Sequence, residues 1–382
     1  MRWWAWAYPW CVIGELEAAG VYDPTAPDAD FRRSIAEHLC AVGVSVDDVI
    51  AILGSDDPEA EMNLRVLFPG PRIRVDEFAD RVGLSIEQLE RIRIAAGLPR
   101  LPGGPEVQVF SSRDEQAFIS FGVGTALFGE EATLQFIRVM GSALSRVAEA
   151  AVALFGSHIG RSLDEQHAPP DVQFNASVDA TQALSALGPA LDTMSRFHAE
   201  TAIRRLTRAR EGATSFESGR LAVGFVDLVG FTPLAETMTI RRLGELFDEF
   251  EGLAGDLIAE HDGRLVKLIG DAVMFVALDP DAACEIALRL VEHFRGEANP
   301  VTPRGALALG EMLVRGGDYF GHVVNLAARA AELAVPYEIL VSQEVVAAAG
   351  PRFNFEPAGR RMLKGFAEPA PLATLRRAQP SS

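Results

Sequence analysis

Residues 264–278, RLVKLIGDAVMFVAL, read as two apolar strands meeting at Gly270-Asp271, a turn pair suited to a tight β-hairpin. The flanking runs are apolar enough to be buried, yet the first holds Lys267 and the turn ends in Asp271. A second apolar run, LAVGFVDLVGFT, carries Asp227 near its end. A lone charge in low dielectric is expensive unless it is paired or bound to a metal. The fold must therefore give these three charges partners. If the two runs are neighbouring strands, Asp227 and Asp271 emerge at the same end of one sheet.

From residue 220 strands and helices alternate. The strand LAVGFVD precedes a helix through IRRLGELFDEFEGLAGDLIAEH, and the hairpin follows. Asp279-Pro280 opens a helix ending near Phe294, with proline early as helices prefer. RGALALGEMLV and EILVS are strands on either side of the helix HVVNLAARAAELA, and FNFEPAGRRMLKG and PLATLRR close the chain. The alternation predicts an α+β fold, an antiparallel or mixed sheet with helices on one face. Residues from about 28 to 210 read instead as helical. DFRRSIAEHLCAVG and SVDDVIAILG end at glycines, and SSRDEQAFISFG opens on a capping box from Ser112 to Glu115. Polar EGATSFESG separates the halves. The expected organisation is an all-α domain over 1–210, a linker over 211–219 and an α+β domain over 220–376.

The chain has 382 residues, 48% of them hydrophobic, enough for two cores. Its net charge of -18 argues against nonspecific nucleic-acid binding, which needs a basic face. The segment RVDEFADRVGLSIEQLERIRIAAGLPR has a helix, glycine turn, helix layout, but six arginines face five acids between Arg72 and Arg100. It reads as a packing unit rather than a DNA reader. Cys11, Cys40 and Cys284 show no paired spacing, which predicts a reduced, cytoplasmic setting. No uncharged apolar run reaches the 18 or so residues of a membrane span. MRWWAWAYPWC holds all four tryptophans, Trp3, Trp4, Trp6 and Trp10, and lacks a small-residue cleavage pattern. It is compatible with a peripheral membrane contact, with a patch docked on the helical half, or with a start codon assigned too far upstream.

Two carboxylates at one spot suit Mg²⁺ or Mn²⁺, which prefer oxygen and keep several waters. Two such ions would activate a nucleophile and neutralise phosphate oxygens. After Asp227, LVGFTPL gives a glycine turn and then Thr232-Pro233 as N-cap and first helical residue, whose free amides can cradle phosphate. Together these features point to nucleoside triphosphate chemistry. In GDYFGHVVNLAAR, Asn325 and Arg329 lie four apart and share a helix face. An amide to hold a ribose and a guanidinium to neutralise a pentavalent phosphorus suit phosphoryl transfer.

FVDLVGFT, KLIGD and DYFGHVVNLAAR resemble, in that order, the signatures of the class III nucleotidyl cyclases, over about residues 219–376. The resemblance implies a ferredoxin-like catalytic domain forming cyclic AMP or cyclic GMP with two divalent metal ions. By it, Asp227, Asp271 and Leu228 form the metal site, and Phe231 and Thr232 are substrate-binding. Lys267 and Asp318 match the purine-reading positions, Asn325 the ribose position and Arg329 the transition-state cation. Lys364 in MLKGF matches a triphosphate lysine, and Arg304 in TPRGALALG a second phosphate cation. Adenine offers a donor at its exocyclic amine and an acceptor at N1, which complement Asp318 and Lys267; guanine reverses both roles. ATP is the expected substrate, with a guanylate cyclase or a silent ATP-binding module as rivals. The resemblance further implies a head-to-tail homodimer whose sites cross the interface. Two departures stand out: little room for a dimerisation arm between Gly310 and Asp318, and Ala328 where serine is common. Helical halves joined to such short-arm domains resemble regulatory, often autoinhibitory, domains. His158, His167 and His198 near the linker suggest pH sensing, and the apolar helical half a lipid effector.

Overall fold

The computed structural model describes residues 8–210, 218–229, 237–295 and 301–378. Trp3, Trp4, Trp6 and the side chain of Trp10, in the tryptophan-rich run, lie outside the described residues. The chain divides into two compact units, residues 1–195 and 196–382, and the division falls inside the Gly188–Ala209 helix.

Among the described residues the first unit is helical apart from one short antiparallel ribbon, β1 (Ile73–Arg74) with β2 (Gln108–Phe110). The helix, turn, helix segment forms as expected from Val75–Val82 and Ile86–Ala95. Gly83 closes the first helix in the left-handed region at φ 68°, and Ser85 and Gln88 cap the second reciprocally. Its apolar side is buried: Phe78 stacks on Phe110 at 4.0 Å and meets Phe118 edge-on. The capping box expected at Ser112 does not form. The helix starts at Glu115, and Asp114 accepts instead from the amide and hydroxyl of Ser111 at 2.7 and 3.1 Å. The side-chain contact lies one residue earlier than expected, in a Ser111–Asp114 pair ahead of the helix.

A long helix, Glu130–Phe155, runs through a π-turn at Gly156–Gly160 into Arg161–Glu165. It is long and apolar enough to cross a membrane by length and composition, and its apolar window is not buried. Arg146 and Glu149 lie within this helix, and an arginine alone costs about 2.5–3.5 kcal/mol at a bilayer centre.

The second unit is built on an eight-stranded mixed sheet. Its strands are β3 (Ser218–Val229), β4 (Arg264–Ile269), β5 (Ala272–Ala277), β6 (Thr302–Arg315), β7 (Asp318–Phe320), β8 (Ile339–Ser342), β9 (Phe353–Arg361) and β10 (Ala370–Arg377). The order is β4-β5-β3-β6-β8-β10-β9, with β7 paired to β6, and among the described residues only the β6–β8 pairing is parallel. Helices cover both faces, not the one face that alternation suggested. Ala222, Val226 and Leu228 pack with Phe250 and Ile286 of the Ile240–Glu260 and Pro280–His293 helices. Leu221, Val223 and Phe225 face the other way, toward Ala327 and Ala330 of the His322–Leu333 helix. The reason is legible in β3, whose residues 221–226 are all buried, the near-continuous apolar run of a strand covered on both sides. Gly224 is where the strand meets Phe275, and a Cβ there would stand 2.3 Å from that ring.

Candidate active site

The β4–β5 hairpin turns through Gly270 and Asp271, with Ile269 opposite Ala272 and Gly270 at φ 61°. β5 pairs in register with β3, placing Ala272 opposite Asp227, and the amide of Leu228 donates to the carbonyl of Asp271 at 3.2 Å. The two carboxylates are thereby neighbours. Burial, and then the Asp227 charge, push the Asp271 carboxyl above its ordinary range. Such a pair carries more negative charge than it can neutralise itself, which fits a cation site. The donors are hard oxygens, as Mg²⁺ or Mn²⁺ requires. Among the described residues there is no cluster of three or more His, Cys, Asp or Glu, so a bound ion would complete its shell with water and phosphate oxygens. The Leu228 side chain is buried in the core and anchors this end of β3.

Arg304 lies directly opposite Asp227 in the β3–β6 pairing. Its Nε and Nη2 donate to Asp227 Oδ2 at 3.2 and 3.1 Å. The side chain is thus engaged at the carboxylates, where the resemblance implied a phosphate contact.

Lys267 and Asp318, 51 residues apart, meet with Nζ 2.5 Å from Oδ2. A bulge in β4 between Leu265 and Lys267 makes this possible. Leu265 and Leu268 pack into one core while Val266 packs into the other, so the extra residue turns Lys267 away from the first core. Asp318 is delivered by a two-residue turn, Gly316-Gly317, both at positive φ, with Arg315 opposite Asp318. Arg264 braces this turn, donating to the Gly317 carbonyl at 2.6 Å and lying over the Tyr319 ring at 5.6 Å. Asp318 Oδ1 accepts from the Tyr319 amide at 2.8 Å.

Asn325 and Arg329 sit on the His322–Leu333 helix, entered through Gly321 at φ 135°. The Arg329 guanidinium is paired with Glu332 one turn on. Lys364 is exposed on the turn after β9, held by buried Leu363 and by Phe366, whose ring lies 4.8 Å from that of His322. Phe231 and Thr232 lie outside the described residues. The fold therefore brings together Asp227, Asp271 and Arg304, and separately Lys267 and Asp318. Among the described residues no hydrogen bond or ion pair joins Asn325, Arg329 or Lys364 to either group. Sequence reading missed Glu332, Arg264 and Tyr319. The first follows from its spacing to Arg329; the other two have no local signal, because Arg264 and Tyr319 are 55 residues apart.

No family model matches the chain. It is similar to a pH-sensitive adenylate cyclase of Mycobacterium tuberculosis, 29% identical over 363 residues, 91% of this chain and 88% of that one. It is similar to an adenylate cyclase of Glutamicibacter nicotianae, 30% identical over 302 residues, 74% and 73% of the two chains. Among solved structures it is similar to the adenylyl cyclase CyaB of P. aeruginosa, 24% identical with a TM-score of 0.40, covering 43% of this chain and 97% of that one.

Proposed function

The chain belongs to the adenylate cyclase family, and from that premise we propose that it converts ATP to 3′,5′-cyclic AMP and pyrophosphate at sites shared between two copies of itself. The observation that carries this reading is the Lys267–Asp318 pair, brought together from distant strands with both side chains partly exposed. The ammonium donates to adenine N1 and the carboxylate accepts from the exocyclic amine, a match that guanine would reverse. Two divalent ions on Asp227 and Asp271, when bound, supply charge that lowers the pKa of the 3′-hydroxyl and neutralises the triphosphate. The 3′-oxygen attacks the α-phosphorus, the bond to the β-phosphate oxygen breaks, and pyrophosphate leaves. Arg329 neutralises the charge developing on the phosphorus, Asn325 orients the ribose, and Lys364 holds the triphosphate. Among the described residues Asn325 and Arg329 make no hydrogen bond or ion pair to Asp227 or Asp271, and Arg329 pairs with Glu332 instead, which supports a site completed by a second copy and hence a homodimer.

Residues 1–195 are then regulatory. An apolar cavity of about 760 Å³ within that unit, lined by Leu67, Val152, Phe155, Ile159 and Leu184 with His158 at its wall, supports an apolar effector. The unpaired spacing of the cysteines supports a reduced, cytoplasmic setting for the catalytic unit.

The test mixes two inactive variants, Asp227→Ala and Arg329→Ala, and assays cyclic AMP from ATP with Mn²⁺. Recovered activity, up to about a quarter of wild type from random pairing, is expected because one site in each mixed dimer is intact. No recovery from mixed dimers shown to form overturns the shared site.

A further inference from the structure

The Arg304 guanidinium holds three groups at once. Nε and Nη2 donate to Asp227 Oδ2, while Nη1 donates to the main-chain carbonyls of Glu332 at 2.8 Å and Ala334 at 3.1 Å. Those carbonyls end the helix that carries Asn325 and Arg329. The Arg304 and Asp227 side chains are 24% and 23% exposed, so their attraction is only partly screened. Four of the donor directions of Arg304 are taken, and Asp227 Oδ2 already accepts two of them. That oxygen cannot serve a divalent cation while it is so held, and Arg304 cannot reach a phosphate without letting go.

We propose that Arg304 is the counter-ion that a divalent cation displaces. It neutralises Asp227 in the metal-free protein and leaves when the metal binds. Because the same guanidinium caps the Asn325–Arg329 helix, filling the metal site releases the C-terminal end of that helix. This rests on reading Asp227 and Asp271 as the metal pair. Arg304 is a positioning residue in this role, acting through Asp227 and through the helix end.

The experiment measures Mn²⁺ binding to the full chain without nucleotide, by calorimetry or electron paramagnetic resonance. Arg304→Ala and Arg304→Gln remove the competing cation, and each should bind Mn²⁺ roughly tenfold tighter than wild type, the worth of one charge-assisted hydrogen bond. Arg304→Lys keeps a cation and should bind near the wild-type level. Gln retains a donor for the helix carbonyls and decides the matter if the Ala variant does not fold. Hydrogen exchange supplies a second readout: Mn²⁺ should speed exchange over residues 329–337 in wild type and have no such effect in Arg304→Gln. Unchanged or weaker Mn²⁺ binding in both neutral variants, with binding lost in Asp227→Asn, overturns the counter-ion role and leaves the metal pair intact. If Asp227→Asn binds Mn²⁺ as wild type does, the metal-pair reading fails and this inference falls with it.

Discussion

A charge inside an apolar run is the smallest feature that told on function. Lys267 could be picked out of its strand because nothing in the local pattern needs it, and Asp271 because a turn of Gly-Asp alone does not explain a second aspartate on the neighbouring run. Their partners were less legible. Asp318 was found through the family resemblance, and Arg304 was assigned there to phosphate, although the fold sets it opposite Asp227. Strand register decides which side chains face each other, and no single stretch of sequence carries it. The Lys267–Asp318 ion pair also makes base selection testable without breaking the contact. The exchange Lys267→Glu with Asp318→Lys keeps opposite charges together but reverses donor and acceptor toward the base. The ratio of kcat/KM for ATP over GTP should fall by roughly a hundredfold or more, since a site built to hydrogen-bond one base leaves buried groups unpaired with another. An unchanged ratio in the folded double variant would show that the base is read elsewhere.

At the scale of the element, existence was easier to read than coverage. Among the described residues, the helices and strands read in the second unit form, because amphipathic helices and apolar strands differ in period, while short β7 and the Gln343–Ala348 helix carry too little pattern to be read. Which faces of the sheet are covered depended on a subtler sign, the unbroken burial along β3. The Ser112 cap does not form, and the local contact is a Ser111–Asp114 pair one residue earlier, a shift that the motif alone does not resolve. One tie between elements is strong enough to predict from. Arg377 of β10 holds Glu285 at 2.9 Å and Glu292 at 2.8 Å, both on the Pro280–His293 helix. Arg377 holds the Glu285 carboxyl below its ordinary range. A carboxylate with a depressed folded-state pKa stabilises the fold above its unfolded value of about 4.3, and that contribution is lost as the pH falls through the folded value. Arg377→Ala should therefore cost about 1 kcal/mol near neutral pH, discounted because the side chain is 43% exposed. The cost should shrink toward zero in acid. Urea titrations of both proteins at pH 7 and pH 3 would check it, and an equal difference at the two pH values would refute the assignment.

Over the whole molecule, the question is where the catalytic unit begins. Composition marks a polar linker at 211–219, yet the compact unit starts at residue 196, inside the Gly188–Ala209 helix. The reason lies in two buried residues of the last turns. Ala209 is 2% exposed and its Cβ lies 3.1 Å from where a side chain on Gly219 would begin. Arg205 is 8% exposed, with Nη2 3.4 Å from the Gly263 carbonyl and the Tyr319 hydroxyl beside it. Burial lowers the Arg205 pKa, and Tyr319 and Asp262 offset part of that cost. A fragment of residues 212–382 discards both, exposes the apolar surface they covered and removes a partner of Tyr319, next to Asp318. Its melting temperature should fall below that of a 196–382 fragment by roughly 5 °C, at about 2–4 °C per kcal/mol for a domain of this size. Comparing the shorter fragment with the full chain would then confuse lost regulation with lost structure. The comparison that isolates the first unit is 196–382 against residues 1–382, at matched protein and Mn²⁺ concentrations. If residues 1–195 bias the pairing of catalytic units, specific activity should differ between the two by severalfold. Equal activity, with both proteins dimeric, would leave the first unit no part in regulation under those conditions and return the apolar cavity to the question of what it binds.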